Sequence, residues 1–438
     1  MARPTGTRRW RSRRLHSGLV FATAVTLLAG CAATHDPTGP RIPPTSRTSA
    51  SITTAATAST VPAGSATSCT ATDAKVADPG APHGLFANAV NLASPAQKQV
   101  ILRYLLADPT LCGADIVVPW SAIDKGPGAT PRYDWTQLDQ WTGPWEAAGK
   151  EVNLIVWGVD EQPRQTPAPA TPAYVLSRVD TVQCNQNTPP TPVYWEPGYE
   201  DNWKAFVAAV IAHVAGDPHV GYLRFGIGTG GESYVENNLK GACLAQWNAH
   251  GYQQNFPAYA ADMIAYEASL HSAKQIMVGI NTFRGGDGFP DQVAATAVAD
   301  GFGFGSQGLA ASAISQTQRG QPCYANWCAL FTRYTGRVPL EVQTYEKTDP
   351  TGAGPEGTLP PLLRFALSEH AQILELYPTE WLIADDPTWP GYSQAHAAYA
   401  QALDAAAAVV GNAPGRQAAI ARRMTMTRRM TMTRRELH

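Results

Sequence analysis

The chain has 438 residues, 44% hydrophobic and 16% charged, which supplies one large core and excludes a chain disordered throughout. Its formal net charge of −2 hides an asymmetry: six arginines precede Cys31 and seven follow Gly411, where Glu436 is the single acid. Between those ends 20 basic residues face 34 acidic ones, which argues against a phosphate-binding surface for nucleic acid and suits a neutral partner such as a sugar.

Residues 1–30 read as a lipoprotein signal peptide. Arg8, Arg9, Arg11, Arg13 and Arg14 form a basic start, and Leu19 to Leu28 an apolar run too short to span a bilayer. Leu28-Ala29-Gly30-Cys31 resembles a bacterial lipobox, with Cys31 as the lipidated first residue of the mature chain. The expectation is an exported protein, lipid-anchored to a cell membrane and facing its extracytoplasmic side. Residues 31–75, rich in Ala, Thr, Ser and Pro, read as a disordered tether, because they bury too little surface to offset ordering entropy. Residues 412–438 read as a basic low-complexity tail in which Arg-Arg-Met-Thr-Met-Thr occurs twice.

Residues 76–411 carry eight strand-like runs, each followed by a helix-like run. The strands are expected at Leu85–Asn91, Ala114–Trp120, Glu151–Trp157, Tyr222–Gly228, Gln275–Asn281, Phe302–Gln307, Val338–Thr344 and Gln372–Tyr377. The helices are expected at Ser94–Ala107, Asp134–Ala148, Asn202–Ala215, Tyr259–His271, Asp291–Ala299, Tyr324–Tyr334, Leu359–His370 and Ala397–Val410. A long Pro-rich stretch, Gln162–Gly198, separates the third strand from its helix. Alternation of this kind predicts an α/β fold, a single (β/α)8 TIM barrel, with an open doubly wound sheet as the structural alternative.

Besides Cys31 there are six cysteines, Cys69, Cys112, Cys184, Cys243, Cys323 and Cys328, an even set that suggests disulfides in an exported protein. The favoured pairs are Cys323 with Cys328, within one loop-to-helix segment, and Cys184 with Cys243, in neighbouring loops. Neither Cys-x-x-Cys nor His-Glu-x-x-His occurs, so no metal site is expected.

A barrel places chemistry on the loops after its strands. The fourth strand leads into Gly226-Ile227-Gly228-Thr229-Gly230-Gly231-Glu232. Formally this contains Gly-x-Gly-x-x-Gly, but the residues after it, Ser233-Tyr234-Val235-Glu236, do not read as the helix a dinucleotide site requires, and no cofactor is expected. The other reading is a small-residue turn that presents Glu232 at the barrel mouth. Glu341 and Glu375 lie inside apolar strands, where a carboxylate is costly without a partner. One explanation pairs Glu341 with Arg224 across the barrel. The other is work on a glycosidic bond, for which a retaining enzyme needs two carboxyls about 5–5.5 Å apart.

These residues resemble a known group, the retaining glycoside hydrolases of clan A on (β/α)8 barrels, over about residues 83–410. In that clan the acid/base glutamate ends the fourth strand and the nucleophile the seventh. The resemblance therefore implies Glu232 as acid/base and Glu341 as nucleophile, with Glu375 as substitute nucleophile. Tyr133-Asp134-Trp135 and Trp381 also resemble clan members. The clan usually carries Asn before its acid/base glutamate, and Gly231 stands there instead. Trp120, Trp157, Gln343 and Trp381 are candidate substrate-binding residues near strand ends, and Trp195, Asp160 and Glu161 lie in the third loop. The expected function is cleavage of a glycosidic bond by an exported lipoprotein. Its rivals are a barrel that binds a glycan without cutting it and a two-lobed solute-binding lipoprotein.

Overall fold

The computed structural model describes residues 82–410, apart from 161–168, 186–187, 238 and 283–287. The expected signal peptide, most of the tether and the basic tail, with Cys31, Cys69 and Glu161, lie outside the described residues. Eight parallel strands close a barrel: Gly84–Ala87, Gly113–Pro119, Glu151–Trp157, Val220–Phe225, Gln275–Gly279, Gly303–Leu309, Leu340–Thr344 and Ile373–Leu376. Each pairs with its neighbours in sequence, and the eighth closes on the first through Gly84↔Ile373 and Phe86↔Glu375. The closed sheet excludes both the open doubly wound alternative and the two-lobed architecture.

Strand alternation divides the apolar residues into two cores. One fills the space between the barrel wall and the surrounding helices. It includes Leu154, Val156, Leu223 and Phe225 from the strands, packed with Trp203, Phe206, Val207 and Val210 of helix Pro197–Val214. The other lies inside the barrel and contains Phe86, Val117, Ile155, Trp157, Tyr222, Met277 and Ile373. Glycine makes room for large inward side chains on neighbouring strands. A Cβ at Gly303 would overlap the Met277 sulfur, and one at Gly305 would overlap the Glu341 carboxyl.

Most helices begin close to where their sequence signals place them. Ser94 and Gln97 form a reciprocal capping box ahead of Pro95–Leu105. Helix Tyr252–Ser269 starts seven residues before the expected Tyr259. Pro257 lies inside this helix, and Tyr252 and Phe256 ahead of it are buried. That packing outweighs the hydrogen bond proline removes. The first strand is shorter than expected, and a 3-10 turn, Val90–Leu92, replaces its end. Helices Gly241–Ala249, Ala311–Gln318 and Thr379–Asp385 were not expected, since each is short. The Pro-rich third loop contains a two-stranded ribbon, Thr181–Val182 with Thr191–Pro192.

Both favoured disulfides are present, Cys184–Cys243 and Cys323–Cys328. The first joins the third loop to helix Gly241–Ala249. Cys112 is disulfide-bonded as well.

Glu267 lies buried on helix Tyr252–Ser269, where desolvation pushes its carboxyl well above the usual range. The folded state therefore resists losing this proton while the unfolded chain releases it. Stability is fullest below the unfolded pKa and falls as pH rises above it. Glu267→Gln should stabilise the protein at pH 7.5 by roughly 1–2 kcal/mol, the scale of a buried uncompensated polar group. In urea titrations the gain should shrink towards pH 4.

Candidate active site

A single guanidinium organises the barrel interior. Arg224, on the fourth strand, is 2% exposed. Its Nη1 donates to Glu341 Oε2 on the seventh strand at 2.8 Å, and to both oxygens of Glu375 on the eighth at 3.3 Å. Its Nη2 donates to Gln343 Oε1 at 3.4 Å and lies 3.8 Å from Glu232 Oε1. The Arg224–Glu341 pair, one of the two explanations for an acid inside this strand, is thus present, and Glu375 shares the guanidinium.

Below the arginine, the Tyr222 hydroxyl donates to Glu375 Oε1 and, at 3.4 Å, to Asp115 Oδ1. Asn153 Nδ2 donates to the same Asp115 oxygen at 2.9 Å. These groups form a buried polar column from the second, third, fourth, seventh and eighth strands. Asp115, Asn153 and Tyr222 escaped the sequence reading. Asp115 and Asn153 carry the signal that exposed Glu341 and Glu375: a polar residue inside an otherwise apolar strand.

Glu232 reaches the interior through the turn after the fourth strand. Gly228 N donates to Glu232 O at 2.7 Å, and Glu232 N to Thr229 O at 3.1 Å. Gly231 takes φ +79°, and a Cβ there would press on Ile155 and Trp157. No helix opens at these glycines; the next begins at Gly241. The dinucleotide reading therefore has no support in the local backbone. Gly279 on the fifth strand leaves room for Glu232, whose Oε2 would be 2.6 Å from a Cβ at that position. Asn281, just beyond the fifth strand, accepts from Ser233 N and Oγ at 2.9 and 3.1 Å and so braces the residue after Glu232.

Neither oxygen of Glu232 has a hydrogen bond of good geometry. Burial pushes its carboxyl up to about 7, against the pull of Arg224. Burial and Glu375 push Glu341 well above the usual range, again opposed by Arg224. Asp115 is raised too, by burial and then by Glu375. Arg224 itself stays charged, because the surrounding acids outweigh its desolvation. One positive charge cannot balance four buried carboxylates, so the cluster holds protons at neutral pH.

Of the candidate substrate-binding residues, Trp157 and Gln343 line this interior. Trp157 packs beside Gly231, and its Nε1 has no hydrogen bond. Trp120 and Trp381 do not reach it. Trp120 packs against Tyr199, Trp203 and Phe206 in the outer core and donates to Asp124 at 3.0 Å. Trp381 lies in the outer core and donates to Thr110 at 3.1 Å. Both correct the expectation of sugar platforms: a tryptophan just past a strand can turn outward beneath the helices. Trp195 packs on Trp247, Trp135 stacks on His213, and Asp160 is buried. Among the described residues two groups approach metal-ligand spacing. A disulfide ties up both cysteines of Cys184, Glu236 and Cys243; Asp180, Glu196 and His250 lie towards the surface.

No protein-family model matches the chain, and no curated protein matches it. Solved structures with a similar course include the β-amylase catalytic domain of Paenibacillus polymyxa, at 10% identity and a TM-score of 0.49, over 72% of this chain and 98% of that one. An endo-β-1,4-xylanase from Gloeophyllum trabeum matches at 11% identity and 0.46, over 76% and 99%. The endo-glycoceramidase II of a Rhodococcus species matches at 13% and 0.41, over 68% and 73%. Likeness at this level carries no argument about chemistry, and the (β/α)8 barrel stands on its own strand pairing.

Arg224→Met would leave the acids without their counter-charge. Unfolding in urea at pH 8 should show a loss of about 3–5 kcal/mol. The loss should be smaller at pH 5, because the stranded acids gain raised folded pKa values and stability then falls as pH climbs.

Proposed function

We propose that the protein is a glycoside hydrolase acting on a neutral glycan by double displacement with retained configuration. The observation that carries this reading is the contrast around Arg224. Glu232, 3.8 Å from the guanidinium and with no hydrogen bond of good geometry to its oxygens, holds a proton up to about pH 7. Glu341, bonded to it at 2.8 Å, is the acid whose ionised form it favours most directly. Burial and Glu375 nevertheless hold Glu341 well above the usual range, so it must give up its proton before it attacks, while Glu232 donates its own. Glu341 Oε1 has no hydrogen bond, whereas both oxygens of Glu375 are engaged. That favours Glu341 over Glu375 as nucleophile.

The two acids lie over neighbouring strands. Gly279 and Gly305 are paired on adjacent strands, and their missing side chains make room for Glu232 and Glu341 respectively. Adjacent strands run about 4.8 Å apart. Glu232 and Glu341 therefore approach each other across one strand pair, and a retaining mechanism needs them about 5–5.5 Å apart. In the first step Glu232 gives its proton to the glycosidic oxygen as that bond breaks, and Glu341 Oε1 bonds the anomeric carbon. In the second, Glu232 takes a proton from water, whose oxygen displaces Glu341. Both acids are buried, so the rim must part for a glycan to reach them. That burial also favours a second reading, a barrel that holds a glycan without cutting it.

Glu232→Gln should lower kcat/KM on nitrophenyl glycosides by about 10²–10⁴-fold. It should cost less on dinitrophenyl glycosides, whose leaving group needs no proton. Glu341→Gln should abolish both. Wild-type kcat/KM should fall as pH rises through about 7, where free Glu232 loses its proton. Glycan binding with no product from the wild type at any pH would favour capture over hydrolysis.

We also propose export and anchoring through a lipid at Cys31. The Cys184–Cys243 and Cys323–Cys328 disulfides support an oxidising compartment. Fractionation of the full chain should find it in membranes, and Cys31→Ala should release it from them.

A further inference from the structure

We infer that Tyr324 and Tyr345 form an aromatic subsite at the barrel rim, which stacks on a pyranose ring of an oligosaccharide leading into the Glu232 site. This rests on the hydrolase reading for the identity of the ligand. Among the described residues these are the two aromatic side chains that stand well out in solvent, at 40% and 51% exposed. Both follow the carboxyl ends of barrel strands, the face on which such folds place chemistry. Tyr345 directly follows the seventh strand, which carries Glu341 and Gln343. Tyr324 opens a short turn beyond the sixth. Tyr345 N donates to Leu309 O at 3.2 Å, which ties the start of the seventh loop to the end of the sixth strand, whose connection carries Tyr324.

The backbone beneath Tyr324 is built to present it. Ala325 and Asn326 both take left-handed conformations, with φ +51° and +56°. Two consecutive non-glycine residues in that region are strained. The Cys323–Cys328 disulfide brackets the turn, and buried Ala325 and Trp327 fix its underside. The strain brings no burial of Tyr324 in return. It holds the Tyr324 hydroxyl 3.5 Å from Asn281 Nδ2, and Asn281 Oδ1 accepts from Ser233, the residue after Glu232. An exposed ring is thus coupled through one amide to the backbone of the proposed acid/base. An exposed phenol pair in a net acidic domain fits the face of a neutral sugar ring, with apolar CH groups against the aromatic plane.

The test uses the full-length Glu232→Gln protein, with cellohexaose, xylohexaose and maltohexaose as probes in titration calorimetry. At least one hexasaccharide should bind, and adding Tyr324→Ala or Tyr345→Ala should weaken that binding about tenfold, the scale of one lost aromatic contact. In the Glu232 background, KM for the hexasaccharide should rise more than KM for a nitrophenyl monoglycoside. Tyr324→Phe should keep the stacking and lose only the contact to Asn281. Thermal melts will confirm that the exposed substitutions leave the fold intact. No binding of any probe, or binding unchanged in both alanine variants, overturns the subsite. Hexasaccharide binding that depends on the tyrosines, without hydrolysis by wild type, keeps the subsite and sinks only the hydrolase.

Discussion

The interior of this barrel depends on the charge of Arg224. A guanidinium inside a strand is costly unless acids surround it, and acids inside strands are costly unless a cation faces them. Each side of the arrangement makes the other tolerable. Glu341 and Glu375 share Nη1, Gln343 takes Nη2, and Glu232 approaches without bonding. The imbalance of one cation against four acids makes the cluster a store of protons rather than a simple ion pair. Its chemistry follows from that imbalance.

The fold supplies the geometry through glycine. Gly279 and Gly305 leave space on the barrel wall for carboxyls from the fourth-strand turn and the seventh strand. Gly231 lets the 226–232 turn fold tightly beside Trp157 and aim Glu232 inward. The glycine at the position where clan A enzymes usually carry asparagine thus has a steric reason here. Asn281, from the fifth strand end, braces the same turn from the other side. A different set of residues from the usual one holds the proposed acid/base in place.

Most of the architecture was legible because strand and helix periods differ and largely apolar runs such as the seven residues Glu151–Trp157 leave little choice. The errors share one cause. Trp120 opens the short helix Trp120–Ile123 and Trp381 lies in helix Thr379–Asp385, both just past strand ends, and sequence position does not say whether such a side chain turns towards the axis or outward under the helices. Each found a hydrogen-bond partner and an aromatic or aliphatic bed outside the barrel. Tyr222 went unnoticed because a tyrosine in a strand looks like ordinary core. Its hydroxyl matters only because Glu375 and Asp115 lie opposite.

By itself the sequence determined the eightfold alternation and the acids that had to be explained, since these follow from local pattern and the cost of burying charge; it only favoured the two disulfide pairings that the structure shows. Only the tertiary structure decided that Arg224 serves several acids at once, that Glu341 keeps an oxygen free while Glu375 does not, and that Tyr324 rather than Trp120 stands at the rim. Those facts depend on which side chains from strands far apart in the chain meet across the closed barrel, and no local pattern encodes that meeting.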